Sequence, residues 1–139
     1  MKKIQSLLIF TLLTCSFIFA AENEAKTEVK VLAKTMKSWD GANLPRYAKG
    51  KPEVTILRIN IPPHTVLSWH KHPYINAGVI ISGELTVITD EADTLHLKAG
   101  DPVIEVVKTW HFGENKGEEL VDIIVFYAGV KGKEITISK

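Results

Sequence analysis

The sequence predicts an all-β domain, and three observations carry that expectation. Short runs rich in Val, Ile and Thr recur at close spacing from Val54 onward, and β-branched side chains suit a pleated, half-buried surface. Gly, Pro, Asn and Asp stand between the runs, where turn chemistry needs them. Past the leader, no stretch shows the 3.6-residue apolar period of a helix. Many short strands at such spacing build a sandwich or a barrel.

The elements follow in chain order. Lys2 and Lys3 precede an apolar run from Ile4 to Ala20, and Ala20-Ala21 then meets the polar run Glu22-Asn23-Glu24. Residues 1–21 read as a secretory signal peptide cleaved after Ala20 or Ala21. The alternatives are an uncleaved anchor or lipidation at Cys15, where Thr14 is a poor fit before the cysteine. Residues 22–53 read as an extension and loop, with a short strand at Val29–Leu32 and with Trp39 and Tyr47 packed against the barrel. The barrel itself occupies residues 54–139. Val54–Ile61 is a strand stopped by Pro62-Pro63, and Val66–His72 is one stopped by Pro73. Ala77–Ile81 and Glu84–Thr89 flank a hairpin-like break at Ser82-Gly83. Thr94–Lys98, Pro102–Val107, Trp110–Glu114, Leu120–Tyr127 and Glu134–Ser138 complete the strands.

Composition narrows the function classes. Without the leader's two lysines, 15 basic residues face 16 acidic ones. That near-neutral balance implies no nucleic-acid partner. The only cysteine, Cys15, lies in the leader, so the mature chain has no disulfide or thiolate chemistry. About 118 residues remain, enough for one domain with its own core. Together with the leader, this places the protein outside the cytoplasm, in a periplasm or secreted.

The histidines carry the chemistry. His70 and His72 flank Lys71, and alternate strand residues share a face about 7 Å apart. Both imidazoles can therefore lean onto one ion. A third ligand must come from another strand, and His111 is the candidate. His64 and His96 read as inert, at a turn and on a polar strand face. Adjacent to ligands, Trp69 and Phe112 should point away from the ion. Tyr74 has the register of the ligands but follows a proline, and Tyr127 has the position to line a cup.

These residues resemble the two motifs of the cupin superfamily. The first motif has His-x-His, then a Glu or Gln, then a Gly seven residues on. His70, His72 and Gly83 match it, while Asn76 occupies the acidic position. The second motif matches at Gly100, His111 and Asn115, with Val106 in place of a proline. His64 stands where the first motif has its leading glycine. The resemblance covers roughly residues 54–128. It implies a double-stranded β-helix, or jelly-roll, barrel with metal ligands at His70, His72 and His111. The metal would be one divalent transition ion: Fe, Mn, Zn, Ni or Cu. It also implies a homodimer.

Asn76 is the departure with chemical consequences. A carboxylate would supply a charged ligand, whereas Asn offers a neutral amide oxygen. Three neutral imidazoles leave the ion its full charge, which lowers the pKa of bound water toward about 7 and favours an anionic substrate. Asn76 cannot shuttle protons. Glu105, alone in the apolar run Pro102–Val107, is the candidate for that task as a general base, a partner of a ligand histidine or a substitute ligand. It serves only if it faces the cup. Three functions follow: an enzyme acting on a small organic molecule at the metal, a non-catalytic protein that binds a small ligand or the metal itself, or a structural or dimerising module with a vestigial site, against which the retained histidines argue.

Overall fold

The computed structural model describes residues 26–139. The leader, its cleavage site and Cys15 lie outside the described residues. Ten strands form: β1 Pro52–Ile61, β2 Thr65–Val66, β3 His70–Lys71, β4 Asn76–Ser82, β5 Glu84–Thr89, β6 Thr94–Lys98, β7 Pro102–Ile104, β8 His111–Asn115, β9 Val121–Val130 and β10 Ile137–Ser138. No helix occurs among the described residues. Two antiparallel sheets result. One has the order β1-β9-β4-β7, and the other has β10-β3-β8-β5-β6 with β2 also paired to β8. This is the all-β jelly roll that the sequence predicts.

Period-two alternation decides which face is buried. In β1, Leu57, Ile59 and Ile61 turn inward while Val54 and Ile56 face out. In β9, Ile123, Val125 and Tyr127 turn inward while Ile124 and Phe126 face out. The inward sets meet Leu85, Val87 and Leu97 of the other sheet and make one core. The outward set leaves an apolar patch on the four-stranded sheet, with Val54 at 61% and Ile56 at 66% exposure.

Four local expectations are corrected. Val29–Leu32 forms no strand; it makes no β-bridge, and Val29 and Val31 are exposed. Tyr47 is exposed, whereas Trp39 does pack on the core. The run Val66–His72 is split, because Thr65–Val66 and His70 pair with opposite ends of β8. Ser82-Gly83 is not a hairpin. β4 pairs with β7 and β9, β5 pairs with β6 and β8, and the chain crosses between sheets at Gly83.

That crossing requires glycine. Gly83 has φ +77°, and a Cβ there would lie 2.7 Å from the Leu120 carbonyl oxygen. A second crossing follows Ile104. Glu105 N–H still donates to the Asn76 carbonyl at 3.1 Å, but Lys108 N–H donates to the His72 carbonyl at 2.8 Å. The expected strand through Val107 therefore leaves its ladder at Ile104 and swings over to His72. Lys108 takes a left-handed φ of 65° to make the turn. His64, at the position where the motif has glycine, is left-handed too, with φ 54°.

Candidate metal centre

The two crossings bring the histidines together. His70 of β3 pairs directly with His111 of β8. His72 is placed by a parallel bridge to Val107. Ring centroids are 4.5 Å apart for His70–His111, 5.0 Å for His72–His111 and 5.1 Å for His70–His72. One ring nitrogen from each lies within 4.8 Å of the others.

Each imidazole is held by its other nitrogen. His70 Nδ1 lies 2.8 Å from the Ser68 carbonyl, His111 Nδ1 3.0 Å from the Thr109 carbonyl, and His72 Nδ1 3.1 Å from the Ile135 carbonyl. Thr136 Oγ1 is also 3.2 Å from His72 Nδ1. A carbonyl only accepts, so Nδ1 carries the proton in all three rings. Nε2 is then the bare lone pair, the tautomer a metal ligand needs.

Burial keeps these rings neutral. His72 is pushed down to about 4, by desolvation first and by neighbouring His111 second. His70 and His111 are lowered as well, each chiefly by burial. Neutral imidazole binds metal, and imidazolium does not.

Two oxygens join the nitrogens. Asn76 is fully buried, and its Nδ2 donates to the Tyr74 carbonyl at 3.3 Å while Oδ1 has no partner. Glu105 is 9% exposed and faces inward from the crossing, with Oε2 3.8 Å from His111 Nε2 and no hydrogen bond. Its carboxyl is raised above the usual range, chiefly by burial. The Trp39 indole adjoins that carboxyl without reaching hydrogen-bond geometry, so Trp39 Nε1 is also buried and unpartnered. All five expected site residues, His70, His72, Asn76, Glu105 and His111, line a single cavity of about 300 Å³.

The remaining expectations sort cleanly. Tyr127 lines the cavity, with its ring 5.3 Å from His72. Trp69 and Phe112 point outside it and stack edge-on at 4.7 Å. Tyr74 borders a different surface groove. His64 pairs with Glu118 and His96 meets Thr86, both away from the cavity. Asn115 is structural, since its amide donates to the Ile61, Pro62 and Glu119 carbonyls and ties down a turn. Trp39 and Thr136 were not foreseen near the site. Trp39 sits in a loop, and Thr136 is 64 residues from His72.

The fit to a metal follows from the donor set. Three bare Nε2 atoms and two orphaned oxygens are all acceptors, and acceptors crowded in a desolvated space are costly until a cation meets them. Fold and site together define a β-barrel with a three-histidine cluster suited to a metal ion. A cupin-domain family model matches residues 57–127, and the chain belongs to that family. No curated protein is close enough in sequence to match.

Solved structures support the same fold. One is an uncharacterised conserved protein with a double-stranded β-helix domain from Klebsiella pneumoniae subsp. pneumoniae MGH 78578. It is 22% identical with a TM-score of 0.54, over 67% of this chain and 88% of that one. The DMSP lyase DddQ from Ruegeria pomeroyi DSS-3 is 16% identical with a TM-score of 0.54, over 62% of this chain and 43% of the lyase. An oxalate oxidase in complex with the substrate analogue glycolate is 20% identical with a TM-score of 0.53, over 61% and 45%. The match spans less than half of the lyase and of the oxidase.

Proposed function

We propose that this protein is an exported metal-dependent cupin that transforms a small organic molecule, acting as a homodimer. His70, His72 and His111 hold one divalent transition metal, Asn76 offers it a neutral oxygen, and Glu105 handles protons. The observation that carries this reading is the convergence of acceptors in one cavity that no lysine or arginine lines. When bound, the metal supplies Lewis acidity toward a substrate oxygen or a water.

The chain's own groups do the rest. The Ser68, Thr109 and Ile135 carbonyls fix the tautomer and aim each Nε2. Glu105 lines the cavity with an unengaged oxygen, able to take a proton and return it. Tyr127 is raised above its usual value, by burial first and by the charge of Glu105 second, so its phenol stays a donor at neutral pH. The apolar walls keep competing water low.

A second reading rests on Asn76. Its amide gives the ion no charge and moves no proton, which suits a non-catalytic protein that holds a small ligand or the metal. Metal content of protein purified without chelators from its native compartment tests the metal-dependent reading. About one ion per chain is expected. Iron or copper points to oxygen chemistry and zinc to hydrolytic or lyase chemistry. Metal-free protein overturns the catalytic reading.

A further inference from the structure

The cavity is divided by strand register. In the four-stranded sheet, Tyr127 and its cross-strand neighbour Asn76 share one inward rung. The next inward rungs are Leu57 with Val125 and Ile59 with Ile123. In the six-stranded sheet, His111 and His70 share one rung. The next holds Val87 opposite Gly113. Each sheet is thus polar at the histidine level and aliphatic two residues further on, and these residues line the same cavity.

Gly113 keeps the two halves connected. It lies on the face of His111, two residues along, and lines the cavity. A Cβ there would already stand 3.3 Å from Leu67 Cδ1 and Leu85 Cδ1. A larger side chain would press on Leu67 and Leu85 and take up space at the aliphatic level next to the histidines.

Polarity is equally one-sided. The three ring nitrogens, Asn76 and Glu105 gather at one level of the cavity. A charged group at the far end of a ligand would stand among the aliphatic rungs, where a charge is strongly disfavoured.

Resting on the metal-site reading, we infer that the cavity takes a molecule with one oxygen-donor head at the histidines and an unbranched or flat apolar tail lying over Gly113 among Leu57, Val87 and Val125.

The test loads the full protein with Co(II) and titrates acetate, butyrate, hexanoate and adipate, following the Co(II) visible spectrum. Each buried methylene should tighten binding about fourfold. Hexanoate carries four more methylenes and should therefore bind about 250-fold tighter than acetate. Adipate has the same length and a second carboxylate, and should bind at least about tenfold more weakly than hexanoate. Gly113→Val should bring hexanoate close to acetate while Co(II) stoichiometry stays unchanged. A flat chain-length series, or adipate tighter than hexanoate, overturns the inference and leaves the metal reading standing. Absence of Co(II) uptake overturns the metal reading and the head-group assignment with it. Calorimetry of hexanoate on metal-free protein then reports the apolar tail site separately, and no binding there overturns that part too.

Discussion

Glu105 Oε2 stands 3.8 Å from His111 Nε2, and neither atom has a hydrogen-bond partner. The separation is too long for a hydrogen bond. Both groups are buried, so each loses water without gaining the other. The folded-state value of Glu105 is raised, so its contribution to stability is full below the unfolded value and is lost as pH rises through the folded one. Metal-free Glu105→Gln should therefore resist urea better than the wild type at pH 8, with the gap closing toward pH 5. The same variant should bind metal about tenfold more weakly, as losses beside a metal site commonly do. Equal urea midpoints at pH 8 would contradict a buried charge at this position.

Replacing His70 and His111 together by Ala removes two of the three ring nitrogens that converge within 4.8 Å. Elemental analysis after purification should find almost no transition metal, against about one ion per chain in the wild type. Wild-type metal content in the double variant would place the ion elsewhere.

Stability of the metal-free protein should fall as pH drops below neutral. His72 titrates near 4 when folded and near 6.5 when unfolded. Between those values the unfolded chain binds more protons, so acid favours unfolding. The contribution of His72 is on the order of 2–3 kcal/mol, fully present above about pH 6.5 and gone below about pH 4. Glu105 acts with the opposite sign, so the informative comparison is with His72→Gln. Its denaturation midpoint should change less between pH 7 and pH 5 than that of the wild type. Identical pH dependence in both would remove His72 from the account.

Gly83→Ala should cost at least about 2 kcal/mol, by combining a left-handed backbone with a clash against a carbonyl oxygen. The clash falls on the Leu120 backbone, which cannot rotate away as a side-chain tip would. Guanidinium unfolding measures the loss. A change below about 0.5 kcal/mol would mean the sheet crossing tolerates a Cβ.

The homodimer reading has its own assay. Ile56, Phe126 and Ile124 crowd the outer face of the four-stranded sheet, and Ile56 and Phe126 are cross-strand partners. An exposed apolar sheet face of this kind marks an interaction surface. Ile56→Asp with Phe126→Asp should shift the protein from dimer to monomer in sedimentation velocity, with metal content unchanged. A wild-type monomer at micromolar concentration would refute it.

The legible part of the molecule is the part written in side chains. β-branched alternation gave the positions of β1, β5, β6 and β9 to within a few residues, and the His-x-His spacing with His111 named a cluster that the fold does assemble. What stayed hidden is written in the backbone. Ser82-Gly83 reads the same as a hairpin or as a crossing between sheets, because both need a left-handed glycine. The carbonyls of Ser68, Thr109 and Ile135 orient the ligands, yet every residue has a carbonyl and none stands out in a sequence. Trp39 reaches Glu105 because its own N–H docks on the Ile104 carbonyl at 3.0 Å, a contact across 65 residues that no local pattern reports. Val29–Leu32 has strand-like composition, but a strand also needs a neighbour, and composition is silent about neighbours.

The far-flung tethers of the histidines make the site a property of the whole chain. His70 and His72 are neighbours in the chain, but His72 is aimed by groups 63 and 64 residues further on. The His70-Lys71-His72 segment by itself therefore lacks both the groups that orient His72 and the third ring of His111, 39 residues on. The three-nitrogen cluster is a property of the closed barrel and not of the local His-x-His segment.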